Sequence, residues 1–122
     1  MVLVDTSVWI RFLSNRAPFA AELEDLLERG EVNGHEYVYG ELLVGDKGGR
    51  KRLLADYELI RQALTVPHAE VVSFVRQHRL HGRGVGWIDV HLVASALVGN
   101  LQLWTADPRL AVVATELGVA YK

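Results

Sequence analysis

The chain has 122 residues, 50% of them hydrophobic, and its 13 Lys and Arg against 15 Asp and Glu leave a net charge of −2. That is the size of one domain, spanning 1–122, and a chain this long buries roughly two-thirds of its unfolded surface, so it folds without covalent staples. The lack of cysteine excludes a disulfide framework and a thiolate zinc site, and the apolar content excludes a disordered chain.

Val2-Leu3-Val4 reads as a short buried strand. Asp5-Thr6-Ser7 are good N-cap residues, and a helix continues through Leu13. Pro18 opens a second helix with Leu23, Leu26 and Leu27 on one face, and Gly30 ends it. Glu31-Val32-Asn33 is a short strand candidate, and Glu36 to Val44 reads as a helix stopping near Gly45. A basic helix is expected from Arg50 towards Ala63, then a buried strand at Leu64-Thr65-Val66 closed by Pro67. Ala69 to Leu80 is an amphipathic helix, and 81–86 is a glycine-rich flexible loop. Trp87 to Val98 is a mostly apolar helix, Leu101 to Trp104 a strand, and Asp107-Pro108 opens a last helix to Leu117. Val119-Ala120-Tyr121 reads as a final strand.

Strands alternating with helices predict an α/β fold: three layers, α/β/α, around a mostly parallel, twisted sheet of about five strands. The N-terminus has no basic segment and meets a charge at Asp5, which is not the pattern of a signal peptide. No apolar run approaches the roughly 20 residues of a membrane helix. The expectation is a soluble, cytoplasmic protein.

Four acids stand out on that map. Asp5 ends the first strand, and Asp107 lies just past the Leu101–Trp104 strand. Both reach one crevice if those strands flank the switch point of the sheet. Glu41 lies on the third helix among apolar neighbours. Asp89 shares a face of the apolar helix with Leu92, Val93 and Ala96, where a carboxylate is costly unless paired or bound to a metal. Each has a structural reading: Asp5 and Asp107 as caps, Glu41 as a solvated residue, Asp89 as a first-turn acid favoured by the helix dipole. Together they are better explained by one shared cause. Carboxylates without His or Cys select hard cations such as Mg²⁺ or Mn²⁺, the ions of phosphodiester hydrolysis. Neutralising the four would turn the net charge from −2 to +2, so a weakly acidic chain can still present a positive face to a nucleic acid.

Four segments carry a family likeness: Val4-Asp5-Thr6-Ser7-Val8-Trp9-Ile10, Gly40-Glu41-Leu42-Leu43-Val44-Gly45, residues 87–96 around Asp89, and Leu103-Trp104-Thr105-Ala106-Asp107-Pro108-Arg109-Leu110. In order and spacing the chain resembles the PIN-domain ribonucleases, and within them the VapC toxins of toxin–antitoxin pairs. The resemblance implies a parallel five-stranded sheet with helices on both faces. It implies a Mg²⁺- or Mn²⁺-dependent endoribonuclease, a homodimer silenced by a VapB-type antitoxin. Asp5 and Asp89 would hold the principal ion, Glu41 would position or activate the attacking water, and Asp107 would complete the site. Thr6, Ser7 and Thr105 would hydrogen-bond to the carboxylates or the scissile phosphate. The chain departs from the family pattern after Asp107, where Pro108-Arg109-Leu110 stands in place of a charged residue followed by Phe.

Other features weigh less. The glycine loop follows a helix and no phosphate-loop lysine follows it, so it is not a nucleotide loop. Arg79 and Arg83, and the basic run Arg50, Lys51 and Arg52, are candidates for RNA phosphates. The five histidines show no metal-ligand spacing and are read as non-catalytic. An aspartyl phosphatase would want a second Asp two residues after Asp5, where Ser7 stands. The alternative to a nuclease is a non-catalytic PIN-like module binding RNA or protein. Such a module has no reason to gather unpaired negative charge.

Overall fold

The computed structural model describes residues 1–121. β1 (Val2–Val4) is the central strand, with β2 (Val32–Asn33) on one side and β3 (Gln102–Trp104) on the other, all parallel. β1 is wholly buried, as expected of a parallel strand covered on both faces. The chain leaves β1 in one direction to form β2 and returns across it to form β3, so the switch point lies between β1 and β3. Right-handed crossovers in opposite directions place helices on both faces. Val4 pairs with Trp104 at the carboxyl end of that crevice.

The sheet is shorter than expected. Among the described residues it has three strands, and the two outer positions are single bridges, Gly34 with Gln62 and Leu103 with Ala120. The expected strand at 64–66 is absent because the edge beyond β2 is used earlier: Gly34 donates to the Arg61 carbonyl, and Ala63 donates to the Gly34 carbonyl. Leu64, expected to be buried, is 72% exposed. The last strand reduces to one bridge at Ala120: the Leu103 amide donates to the Val119 carbonyl, and the Tyr121 amide donates to the Leu103 carbonyl.

α1 (Thr6–Leu13) packs against α2 (Phe19–Glu28) and α3 (Glu36–Val44). α4 (Lys51–Tyr57) ends six residues before Ala63, to which the basic helix is expected to run. It ends where Tyr57 enters the core, and Gln62 Nε2 donates to the carbonyls of Tyr57 and Ile60 at 3.2 and 3.1 Å. α5 (His68–Gln77) lies on α6 (Trp87–Gly99), which packs on β3. α6 is apolar nearly all round, and residues 90–96 are all buried. Asn100, left-handed at φ 53°, closes it and turns the chain into β3. α7 (Pro108–Glu116) follows. No helix among the described residues is long and apolar enough to cross a membrane.

A buried polar chain ties the layers. The Tyr37 amide donates to His35 Nδ1 at 3.0 Å, capping α3 with an imidazole. His35 Nε2 lies 3.1 Å from Ser95 Oγ, which donates to the Leu64 carbonyl at 2.7 Å. With Nδ1 accepting, Nε2 carries the hydrogen and donates to Ser95, so the ring is neutral.

Candidate active site

The crevice between β1 and β3 collects the acids because both strands end there. Asp5 is the residue after Val4, and its amide donates to the Trp104 carbonyl at 2.9 Å. Asp5 occupies the N-cap of α1, yet its side chain makes no capping bond. Its Oδ2 instead accepts from Ser7 Oγ at 2.7 Å and Thr105 Oγ1 at 2.8 Å. Ser7 Oγ in turn accepts from the Ala106 amide at 2.9 Å, and Thr105 Oγ1 from the Asp107 amide at 3.0 Å. The hydroxyls expected beside the site thus stitch the β1–α1 turn to the β3–α7 turn and aim Asp5.

Thr6 Oγ1 donates to Glu41 Oε1 at 2.6 Å, bringing α3 to the same crevice. Asp89 sits in the first turn of α6 and accepts from the Gly86 amide through Oδ2 at 2.8 Å. Asp107 caps α7, with Oδ1 accepting from the Arg109 amide at 2.9 Å. The four carboxylates share one pattern: one oxygen is fixed by hydrogen bonds, and the other has no hydrogen-bond partner among the described residues. None of the four forms an ion pair with a described residue.

Their mutual repulsion is visible at Asp89. Burial raises its pKa first, the Gly86 amide opposes that, and the negative charges of Asp5, Asp107 and Glu41 raise it further. Asp5 is 5% exposed, Asp89 and Asp107 are half-buried, and Glu41 faces solvent. Among the described residues no three such side chains already converge at ligating distance from one point. The donor set still fits Mg²⁺ or Mn²⁺. Every free atom is a hard oxygen, and Mg²⁺ keeps several waters and needs only one or two direct carboxylates. Asp5, which is buried, and Asp89, which is half-buried, could hold such an ion.

The basic candidates divide. Lys51, Arg52 and Arg79 are exposed. Arg50 is half-buried and donates to the Leu42 carbonyl at 2.8 Å, held at the end of α3. Arg83, expected at RNA phosphates, is instead engaged by both carboxylate oxygens of Glu116. That pair straps the 81–86 loop to α7. Two residues escaped the sequence reading. Arg109 lies against Gly84 (φ 80°), where a Cβ would meet its Cδ and Nη1 at 2.7 Å. Arg11 braces α1 by donating to the Ser7 carbonyl at 2.9 Å while its guanidinium lies over the Phe19 ring. Only the charge of each was legible; the glycine and ring beneath them are distant in sequence.

Residues 2–116 match the family model described as PIN domain. The chain is 44% identical over 121 residues to Ribonuclease VapC32 of Mycobacterium tuberculosis, in both the CDC 1551 / Oshkosh and ATCC 25618 / H37Rv strains. Those alignments cover 98% of this chain and 95% of each relative. The fold is similar to that in the crystal structure of FitAcB from Neisseria gonorrhoeae, with a TM-score of 0.62 and 23% identity. That match covers 98% of this chain and 95% of the other.

Proposed function

The chain belongs to the PIN-domain family, grouping there with the VapC ribonucleases, and we propose on that premise that it is a metal-dependent endoribonuclease. The observation that carries this reading is the set of four carboxylates, each anchored by one oxygen and each without a counter-cation, at the carboxyl end of β1 and β3. A bound Mg²⁺ or Mn²⁺ supplies positive charge at the scissile phosphate and makes water a better nucleophile. Asp5 and Asp89 hold the ion, and Asp107 completes its surroundings. Glu41, the exposed member, orients the attacking water and accepts its proton through the oxygen that Thr6 leaves free. Ser7 and Thr105 keep Asp5 aimed. Lys51, Arg52 and Arg79 contact RNA phosphates and position substrate without reading its sequence.

In this reading the chain works as one domain, forms a homodimer, and is the toxin partner of a VapB-type antitoxin in the cytoplasm. The sequence resemblance to the VapC ribonucleases supports it.

The test is cleavage of end-labelled structured RNA by the purified chain, with and without Mn²⁺ or Mg²⁺, beside Asp89→Asn. Discrete cuts that need the ion and vanish in the variant are expected. Equal cleavage without metal or by the variant would remove this active site. RNA binding with no cleavage under any condition would leave the non-catalytic module instead.

A further inference from the structure

Arg109 carries a charge that the stability of the fold does not explain. It lies in the first turn of α7, between Pro108 and the buried Leu110. A cation there faces the positive end of the helix dipole, so the position disfavours it. Nothing nearby is built to compensate. The first turn of α7 holds no acid, and Asp107 Oδ1 accepts from the Arg109 amide rather than from its guanidinium. Among the described residues that guanidinium has no ion-pair partner and no hydrogen-bond acceptor.

The side chain is nonetheless seated. It lies across the backbone of Gly84, where a Cβ would stand 2.7 Å from both Arg109 Cδ and Arg109 Nη1. Gly84 has φ 80°, a conformation that glycine alone adopts readily. Backbone and missing side chain together make a place for the arginine. Two residues on, the same loop reaches Gly86, whose amide fixes Asp89. Two residues before Arg109 stands Asp107. The guanidinium thus bridges the loop that orders Asp89 and the turn that orders Asp107, beside the acidic crevice.

We propose that Arg109 is an RNA-binding residue of the active site, holding a backbone phosphate next to the scissile one; the inference rests on the nuclease reading. The scissile phosphate has the ion to offset its charge. Its neighbours along the strand do not, and the four acids repel them as they approach. A fixed cation beside the crevice offsets that repulsion for one of them. The planar guanidinium matches two phosphate oxygens at once. Its seat on Gly84 lowers the cost of ordering a long side chain on binding. Lys51 and Arg52 stand on α4, away from the acids in sequence, whereas Arg109 is tied through two residues to Asp107 and so acts on one defined phosphate.

The test is made in Asp89→Asn, so that RNA is bound and not cut, with Arg109 kept or changed to Gln or Lys. Each protein is titrated with a fluorescent RNA spanning a mapped cut. The titration is repeated with a neutral methylphosphonate replacing one phosphate at a time, and across a range of salt. Melting temperatures are measured alongside. With Arg109 present, one neutral linkage beside the cut should weaken binding about ten-fold. Arg109→Gln should bind the unmodified RNA about ten-fold more weakly and lose the sensitivity at that linkage alone. Its slope of log affinity against log salt should be shallower by about 0.7. Arg109→Lys should recover part of the affinity, and neither variant should melt lower. If Arg109 and Gln proteins lose equally at every linkage, Arg109 holds no phosphate, and the nuclease reading stands without it. A clearly lower melting temperature in Arg109→Gln, with the linkage pattern unchanged, would make the arginine a brace of the loop instead. No RNA binding, with no cleavage by the unmutated chain, would remove both readings together.

Discussion

His35 shows how a residue can be committed to one protonation state by its neighbours. Nδ1 caps α3 by accepting, which requires the neutral ring, while Nε2 donates to Ser95. Burial is the main reason its pKa falls to about 4, with the Glu36 charge opposing and His91 assisting. The unfolded chain, with a histidine pKa near 6.5, takes up a proton as pH falls below that value, while the folded chain does not until about 4. Stability conferred by the neutral ring is therefore full above pH ~6.5 and declines towards pH 4, by up to about 3 kcal/mol. His35→Asn retains a capping oxygen but not the titration. Urea unfolding between pH 7 and 4 should show a lower stability at pH 7 and a flatter decline than in the unmutated chain. Parallel declines would mean that His35 is not the group responsible. Sequence reading had placed this histidine among the non-catalytic ones, but its partners Ser95 and Tyr57 are 60 and 22 residues away, beyond any local pattern.

At the scale of elements, the parts that were legible are those whose pattern is local. α3 has the bounds expected of it, and α6 extends one residue past them, because a long apolar helix with a Gly-Asn stop carries its own signal. All four acids could be placed on elements for the same reason. What was illegible depended on competition for the sheet edge. Leu64-Thr65-Val66 has strand composition, but Gln62 already pairs with Gly34. Arg83 was equally hidden, since its partner Glu116 is 33 residues on. The strap has a functional consequence, because the loop it holds ends at Gly86, whose amide fixes Asp89. Arg83→Gln should leave the melting temperature almost unchanged, since exposed ion pairs contribute little. It should lower kcat roughly ten-fold, as an ångström of misplacement costs on the order of a hundred-fold. KM and its salt dependence should stay put. A rise in KM that steepens with salt, at constant kcat, would instead make Arg83 a phosphate contact.

Across the whole molecule, the acidic crevice sets function against stability. The fold gathers four negative charges that no described base neutralises, and Asp89 records the result in a pKa raised by burial and by the other three. Such a site is strained in the ion-free chain and relieved by a cation. Asp89→Asn removes the central charge while its amide oxygen can still accept from Gly86. It should stabilise the metal-free chain by about 1 kcal/mol, or roughly 3–5 °C in Tm for a domain of this size. Adding Mn²⁺ or Mg²⁺ should raise the Tm of the unmutated chain and raise that of Asp89→Asn much less. Differential scanning fluorimetry with and without chelator reads both effects, independently of any RNA. The two shifts test one premise from opposite sides, because each relieves the same repulsion. If neither appears, the four carboxylates are too well hydrated to repel one another, and the electrostatic reason for assigning them a metal is gone.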